Sequence, residues 1–175
     1  MPDKSVHECL RILSETLKSH GNVLFPVYPS GIIFDLLEIV MDVLSDLTPI
    51  YFISPIAKEA LSHAQIYPEC LSEVKQNKAS NPEFPFAHDD AIETGRLKVY
   101  EYPSAGLSNT FKGPAVIFTG HPTLELGQGA HWAREWCKNP NGKNKILVTE
   151  PGLPTNLFSD HDRKHVIHYL PIDTR

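Results

Sequence analysis

The stretch Ala115–Cys137, AVIFTGHPTLELGQGAHWAREWC, constrains the fold more than any other part of the sequence. Its opening residues, Ala115 to Thr119, are apolar or β-branched, and so short a run reads as a buried strand. Gly120, Pro122, Gly127 and Gly129 then interrupt the pattern and predict a loop. From Ala130 onward, Trp132, Ala133, Trp136 and Cys137 recur at helical spacing, which predicts a helix with one apolar stripe turned inward. Strand, glycine-marked loop and helix make half of a βαβ unit. In a parallel sheet that loop falls at the carboxyl edge, where α/β folds carry their sites.

The same alternation runs through the rest of the chain. Ser5 to Ser19 sets Cys9, Leu10, Ile12, Leu13 and Leu17 on one side of a helix that ends near His20–Gly21. Asn22 to Val27 reads as a strand, closed by Tyr28-Pro29-Ser30-Gly31, with Ser30 as the expected N-cap of an apolar helix over Ile32 to Leu44. Pro49 to Ile53 is a strand, and Ser54-Pro55 restarts a helix with proline in its first turn. Residues 56–75 predict one or two helices broken at Pro68, and Asn77 to His88 an irregular connection. Asp89 to Gly95 predicts a short helix, Arg96 to Tyr102 a strand, and Ser104 to Lys112 a loop. Ile146 to Thr149 and Lys164 to Leu170 are the last two strands. Strands alternating with helices predict a three-layer α/β/α domain with a mainly parallel sheet. The final strand runs into the terminus with no closing helix, so the 175 residues are expected to form a single domain excised from a longer protein.

Apolar content of 41% and charged content of 21% suit a water-soluble globular domain. The amino end lacks a basic start followed by an apolar core, so no secretory leader is expected. Cys9, Cys70 and Cys137 form an odd, scattered set that fits a reducing compartment. The net charge of −5 argues against strong nucleic-acid binding by this domain alone, because phosphate contact needs clustered Lys and Arg.

Several chemistries fail on spacing. His161, His165 and His168 resemble zinc-ligand separations, but residues three apart on a strand point to opposite faces, and no cysteine is near to complete a tetrahedral set. Gly127-Gln128-Gly129 begins like a dinucleotide fingerprint, yet Trp132 stands at the third glycine. A P-loop, a Gly-x-Ser-x-Gly elbow and a His-Glu-x-x-His pair are all absent from the sequence. What remains is three loops, at Tyr28–Gly31, Ser54–Ile56 and Gly120–Gly129. Each follows a strand and precedes a helix, so helix amino ends there could hold an anion.

Read together, Asn22 to Gly31 (NVLFPVYPSG), Tyr51 to Ala57 (YFISPIA) and Val116 to Pro122 (VIFTGHP) resemble the β-CASP domain. Trp136-Cys137, Lys145 to Glu150 and the closing Pro171-Ile172-Asp173-Thr174-Arg175 continue the likeness over nearly the whole chain. That Rossmann-like domain is inserted into metallo-β-lactamase-fold nucleases that cut RNA or DNA. The resemblance implies that active members hold two zinc ions in a cleft between the two domains, mostly through lactamase-domain ligands, and that the metals activate water. It also implies a functional histidine where this chain carries Asp173. An aspartate cannot act as a neutral imidazole or as an imidazolium acid.

The Tyr-Pro-Ser-Gly, Phe-Thr-Gly-His-Pro and Pro-Ile-Asp-Thr-Arg forms look most like a noncatalytic branch of the family. That branch pairs with a catalytic relative in a nuclear RNA 3′-end-processing complex. The implied role is a scaffold with no catalytic residue, no metal and no cofactor of its own. It meets a catalytic partner and other subunits, and touches RNA only within the complex. Tyr28, Ser30, Gly31, Ser54 and His121 are the expected cleft-rim or anion-contacting residues.

Overall fold

The computed structural model describes residues 4–66, 88–102, 105–139, 141–153 and 165–172. Within them the chain runs α1 (Lys4–Lys18), β1 (Val23–Pro26), α2 (Ile32–Val43), β2 (Ile50–Ile53), α3 (Ala57–Ile66), α4 (His88–Glu93), β3 (Leu97–Tyr100), α5 (Ala105–Thr110), β4 (Val116–Thr119), α6 (Gly127–Cys137), β5 (Lys145–Val148) and β6 (Ile167–Tyr169). The strands make one sheet in the order β3-β2-β4-β1-β5-β6, and every pairing is parallel.

Parallel strands need crossover helices, and those helices bury both sheet faces, which is why the strands read as unbroken apolar runs. Every residue of β1, β2 and β4 is buried. Alternate side chains divide between two cores. Val23, Phe25, Ile50, Phe52, Val116 and Phe118 pack under α1, α2, α3 and α4, with Phe25 and Phe118 stacked at 5.0 Å between ring centroids. Leu24, Tyr51, Ile53, Ile117, Ile146 and Val148 face α5 and α6 on the other side. The result is the three-layer α/β/α architecture expected from the alternation.

Two polar side chains drawn into these layers are tied down by hydrogen bonds. The Tyr51 ring is fully buried, and its hydroxyl accepts the Lys112 N–H at 2.9 Å and donates to the Thr110 carbonyl at 3.3 Å. Asn22 staples three strand starts. Its side chain accepts the Ala115 N–H at 3.1 Å, while its backbone and side-chain N–H groups donate to Asn144 Oδ1 at 2.9 and 3.2 Å.

β1 ends on Pro26 although it is a central strand. Val23 and Val27 direct their N–H groups to β4, at the Ala115 and Thr119 carbonyls, so residue 26 would direct its own towards β5. Proline has none. The β1–β5 register accordingly stops at Leu24↔Ile146, while β1–β4 continues to Pro26↔Thr119.

Three local expectations are corrected. Ser30 is not the N-cap of α2; Gly31 is, at φ +77°, and no side chain caps the helix. A left-handed backbone there suits glycine and disfavours a serine cap. Ser104 to Lys112 contains α5 rather than loop alone, anchored by buried Leu107; with Leu107 the one large apolar residue in AGLSNT, there is no period to read. Finally, α6 begins at Gly127, not Ala130. A Cβ on Gly127 would lie 2.8 Å from the Gly120 carbonyl oxygen, and one on Gly129 3.0 Å from Thr119 Cγ2. Those glycines permit close approach of the helix to the strand end instead of marking a loop. The expected connection over 77–88 lies outside the described residues except at His88, which is buried and opens α4 instead; the Pro68 break, Cys70, His161 and Asp173 also lie outside them.

Candidate site at the carboxyl edge of the sheet

β1 feeds α2 on the way to β2, whereas β4 feeds α6 on the way to β5, on the other side of β1. The connections leave these neighbouring strands in opposite directions and to opposite faces of the sheet, and the crevice outside such a switch point is where open α/β sheets bind ligands. Because β2, β4 and β1 are neighbours, the loops after them stand side by side there.

The loop after β1 is held from two directions. Val27 N–H donates to the Thr119 carbonyl of β4 at 2.8 Å, and Tyr28 N–H donates to Glu150 Oε1 beyond β5 at 3.3 Å. The Tyr28 ring, 42% exposed, meets the His121 imidazole edge-on, with centroids 5.2 Å apart and planes at 81°. His121 itself is half-buried, and its Nδ1 is bonded to Thr123 Oγ1 at 3.0 Å, which fixes the ring and leaves Nε2 free of that bond. The Gly120–His121 peptide is cis.

The remaining rim residues differ in access. Ser30 and Gly31 are exposed, and nothing lies within 4 Å of where a Gly31 Cβ would stand. Ser54 is buried and occupied by its own turn: its carbonyl accepts the Ala57 N–H at 3.0 Å and its hydroxyl the Ile56 N–H at 3.5 Å. So Tyr28 and His121 touch, Ser30 and Gly31 sit beside them on the same loop, and Ser54 holds the start of α3.

Glu150 was not among the residues singled out from the sequence. Burial pushes its carboxyl above the ordinary carboxylate range, and the Tyr28 N–H pulls partly back. Its signal was positional: it follows a strand that neighbours β1. Thr149, just before it, is fully buried, with its hydroxyl unpaired among the described residues. The edge thus offers an imidazole, a phenol, a carboxylate and an uncapped helix amino end. Among the described residues, no group of three His, Cys, Asp or Glu side chains is arranged to hold a metal ion. Also among them, no helix is long and apolar enough to cross a membrane.

Comparison with known proteins points the same way. Residues 31–154 match the Beta-Casp domain family. The chain is 41% identical to Integrator complex subunit 9 of Xenopus laevis, an alignment covering 99% of this chain and 27% of that protein. It is 42% identical to an Integrator complex subunit 9 homolog of Nematostella vectensis, over 87% of this chain and 24% of the relative. Cleavage and polyadenylation specificity factor subunit 2 of Arabidopsis thaliana is 27% identical over 83% of this chain and 19% of its own length. The chain spans about a quarter of the length of the subunit 9 relatives. With the matched segment running from the start of α2 past β5, on an all-parallel sheet flanked by helices, this chain belongs to the β-CASP domain family.

Proposed function

We propose that this chain is the β-CASP domain of an Integrator subunit 9-like protein. It serves there as a noncatalytic scaffold for a catalytic, subunit 11-like partner in a nuclear complex that processes small nuclear RNA 3′ ends and cleaves nascent transcripts. The observation that carries this reading is the 41% identity to Integrator complex subunit 9 along 99% of the chain. Asp173, at the position of a histidine in active relatives, supports the noncatalytic part, because a carboxylate cannot replace an imidazole that donates and accepts protons near neutrality. In this reading Tyr28, Ser30, Gly31, Ser54 and His121 shape the cleft rim, with Glu150 beside them. RNA contact, when it occurs, depends on a partner to supply positive charge that a chain of net −5 does not concentrate.

The deciding experiment uses the full-length protein that contains this chain. Zinc content is measured together with RNA cleavage, alone and with the catalytic partner. We expect no cleavage by the protein alone, and none by the 175-residue chain with Mn²⁺ or Zn²⁺. Stoichiometric zinc with partner-independent, chelator-sensitive cleavage would overturn the scaffold reading and make the chain part of an active metal-dependent nuclease. The 27% identity to cleavage and polyadenylation specificity factor subunit 2 favours one second reading, the noncatalytic subunit of an mRNA polyadenylation cleavage factor. Co-purification from cells with that factor's subunits, and not with Integrator subunits, would select it.

A further inference from the structure

The amino edge of the sheet, opposite the crevice, carries a second surface. The α2–β2 and α4–β3 turns meet there, because Ile50 N–H donates to the Arg96 carbonyl at 2.9 Å. Between them lies a groove of about 520 Å³ lined by Met41, Asp42, Asp46, Asp90 and Arg96, among others. The same two segments carry three large apolar side chains left in solvent: Val43 at 48%, Leu47 at 92% and Ile92 at 39% exposure. Among the described residues, Arg96 is the one cation lining the groove, and it is already engaged. Its guanidinium meets Asp46 at 2.9 Å and donates to the Met41 and Leu44 carbonyls at 2.7 Å each. Asp42 and Asp90 stay on the groove wall, with Glu93 exposed on the next turn.

Exposed apolar side chains beside carboxylates select their partner by chemistry. A phosphate backbone would be repelled. A helix with a Leu/Ile/Met stripe flanked by Lys and Arg would bury apolar against apolar and set ammonium or guanidinium groups against Asp42 and Asp90. We propose that this groove docks a basic amphipathic helix of a partner polypeptide. The proposal stands apart from the reading of the carboxyl edge, since it uses other residues at the opposite end of the strands.

The test titrates the ¹⁵N-labelled 175-residue chain with a 15-residue helical peptide bearing Leu at i, i+4, i+7 and i+11 and Lys at the flanking positions. Amide shifts are expected at residues 42–47 and 90–96, weakening as salt is raised. Leu47→Ser and Asp42→Asn, both at exposed positions, should each lower affinity about 10-fold without moving Tm, which corresponds to about 1.4 kcal/mol. Shifts absent from these segments, equal binding of a Glu-flanked peptide, or stronger shifts there with a 15-nucleotide single-stranded RNA would each overturn it. So would concentration-dependent shifts at the same amides without peptide, which would assign the groove to a second copy.

Discussion

Tyr28 donates its backbone N–H to the Glu150 carboxylate at 3.3 Å, joining the loops after β1 and β5 beyond the point where their ladder has ended. Glu150 is half-buried, and that burial raises its pKa. A carboxyl whose folded pKa is raised stabilises the fold in its protonated form, and that contribution is lost as pH rises from 4.5 through the folded value. Glu150→Gln keeps an acceptor and removes the charge. It should equal the parent at pH 4 and match or exceed it at pH 7, whereas Glu150→Ala should lose about 1 kcal/mol. Urea denaturation at the two pH values checks both.

Gly31 and Gly127 share a positive φ, +77° and +76°, in different surroundings. Open space surrounds the missing Cβ of Gly31, but that of Gly127 would lie 2.8 Å from the Gly120 oxygen. Gly31→Ala should therefore cost about 1–2 kcal/mol from backbone strain alone. Gly127→Ala should add an overpacking cost of about 1–3 kcal/mol. If the two variants unfold at the same urea midpoint, the close approach at Gly127 contributes nothing.

Arg96 closes the carboxyl end of α2 by donating to the Met41 and Leu44 carbonyls, where the helix dipole favours a cation. Its side chain is 14% exposed, so its loss leaves acceptors short of partners in a largely dry site. Arg96→Met should destabilise by about 2–3 kcal/mol. Arg96→Lys should recover only part of this, because a point charge cannot span both carbonyls and Asp46. Thermal unfolding of the two variants gives the order.

Two histidines are expected to make the fold acid-sensitive. Burial depresses the pKa of His88 against opposition from Asp89, and that of His168 with help from Lys145, Arg11 and His165 against Glu8. A base with a depressed folded pKa contributes stability above its unfolded value of 6.5, and that contribution drains away as pH falls towards the folded value. Stability should hold between pH 7 and 8 and fall below about pH 6.5, with a shallower fall for His168→Gln. A pH series of denaturation midpoints reads the slope directly.

The order of elements was legible because parallel strands are short, buried runs of mostly apolar and β-branched residues, as VLFP, IYFI and VIFT are here. Element starts were less so. Ser30 carried the right side chain for a cap, but tertiary placement required a left-handed residue, and Gly31 supplied it. Gly127 and Gly129 read as breakers, since the local pattern does not show that a helix must press against Thr119 and Gly120. α5 rests on one buried leucine and left no period to detect. At the site, His121 and Tyr28 could be placed on loops at the same edge of the sheet from the parallel-sheet expectation. Their edge-on contact, and the part played by Glu150, depend on the order β4-β1-β5, which alternation alone does not specify.

Pro26 carries a further consequence. β1 shares four register pairs with β4 but only Val23↔Lys145 and Leu24↔Ile146 with β5. The β5–β6 pair is thus attached to the four-stranded body through fewer ladder bonds than join strands within it. Amide exchange follows such differences in local opening free energy. The amides of Leu147 and Val148 should exchange with solvent earlier than those of Ile117 and Phe118, giving one continuous sheet two separate unfolding units divided at a single missing N–H.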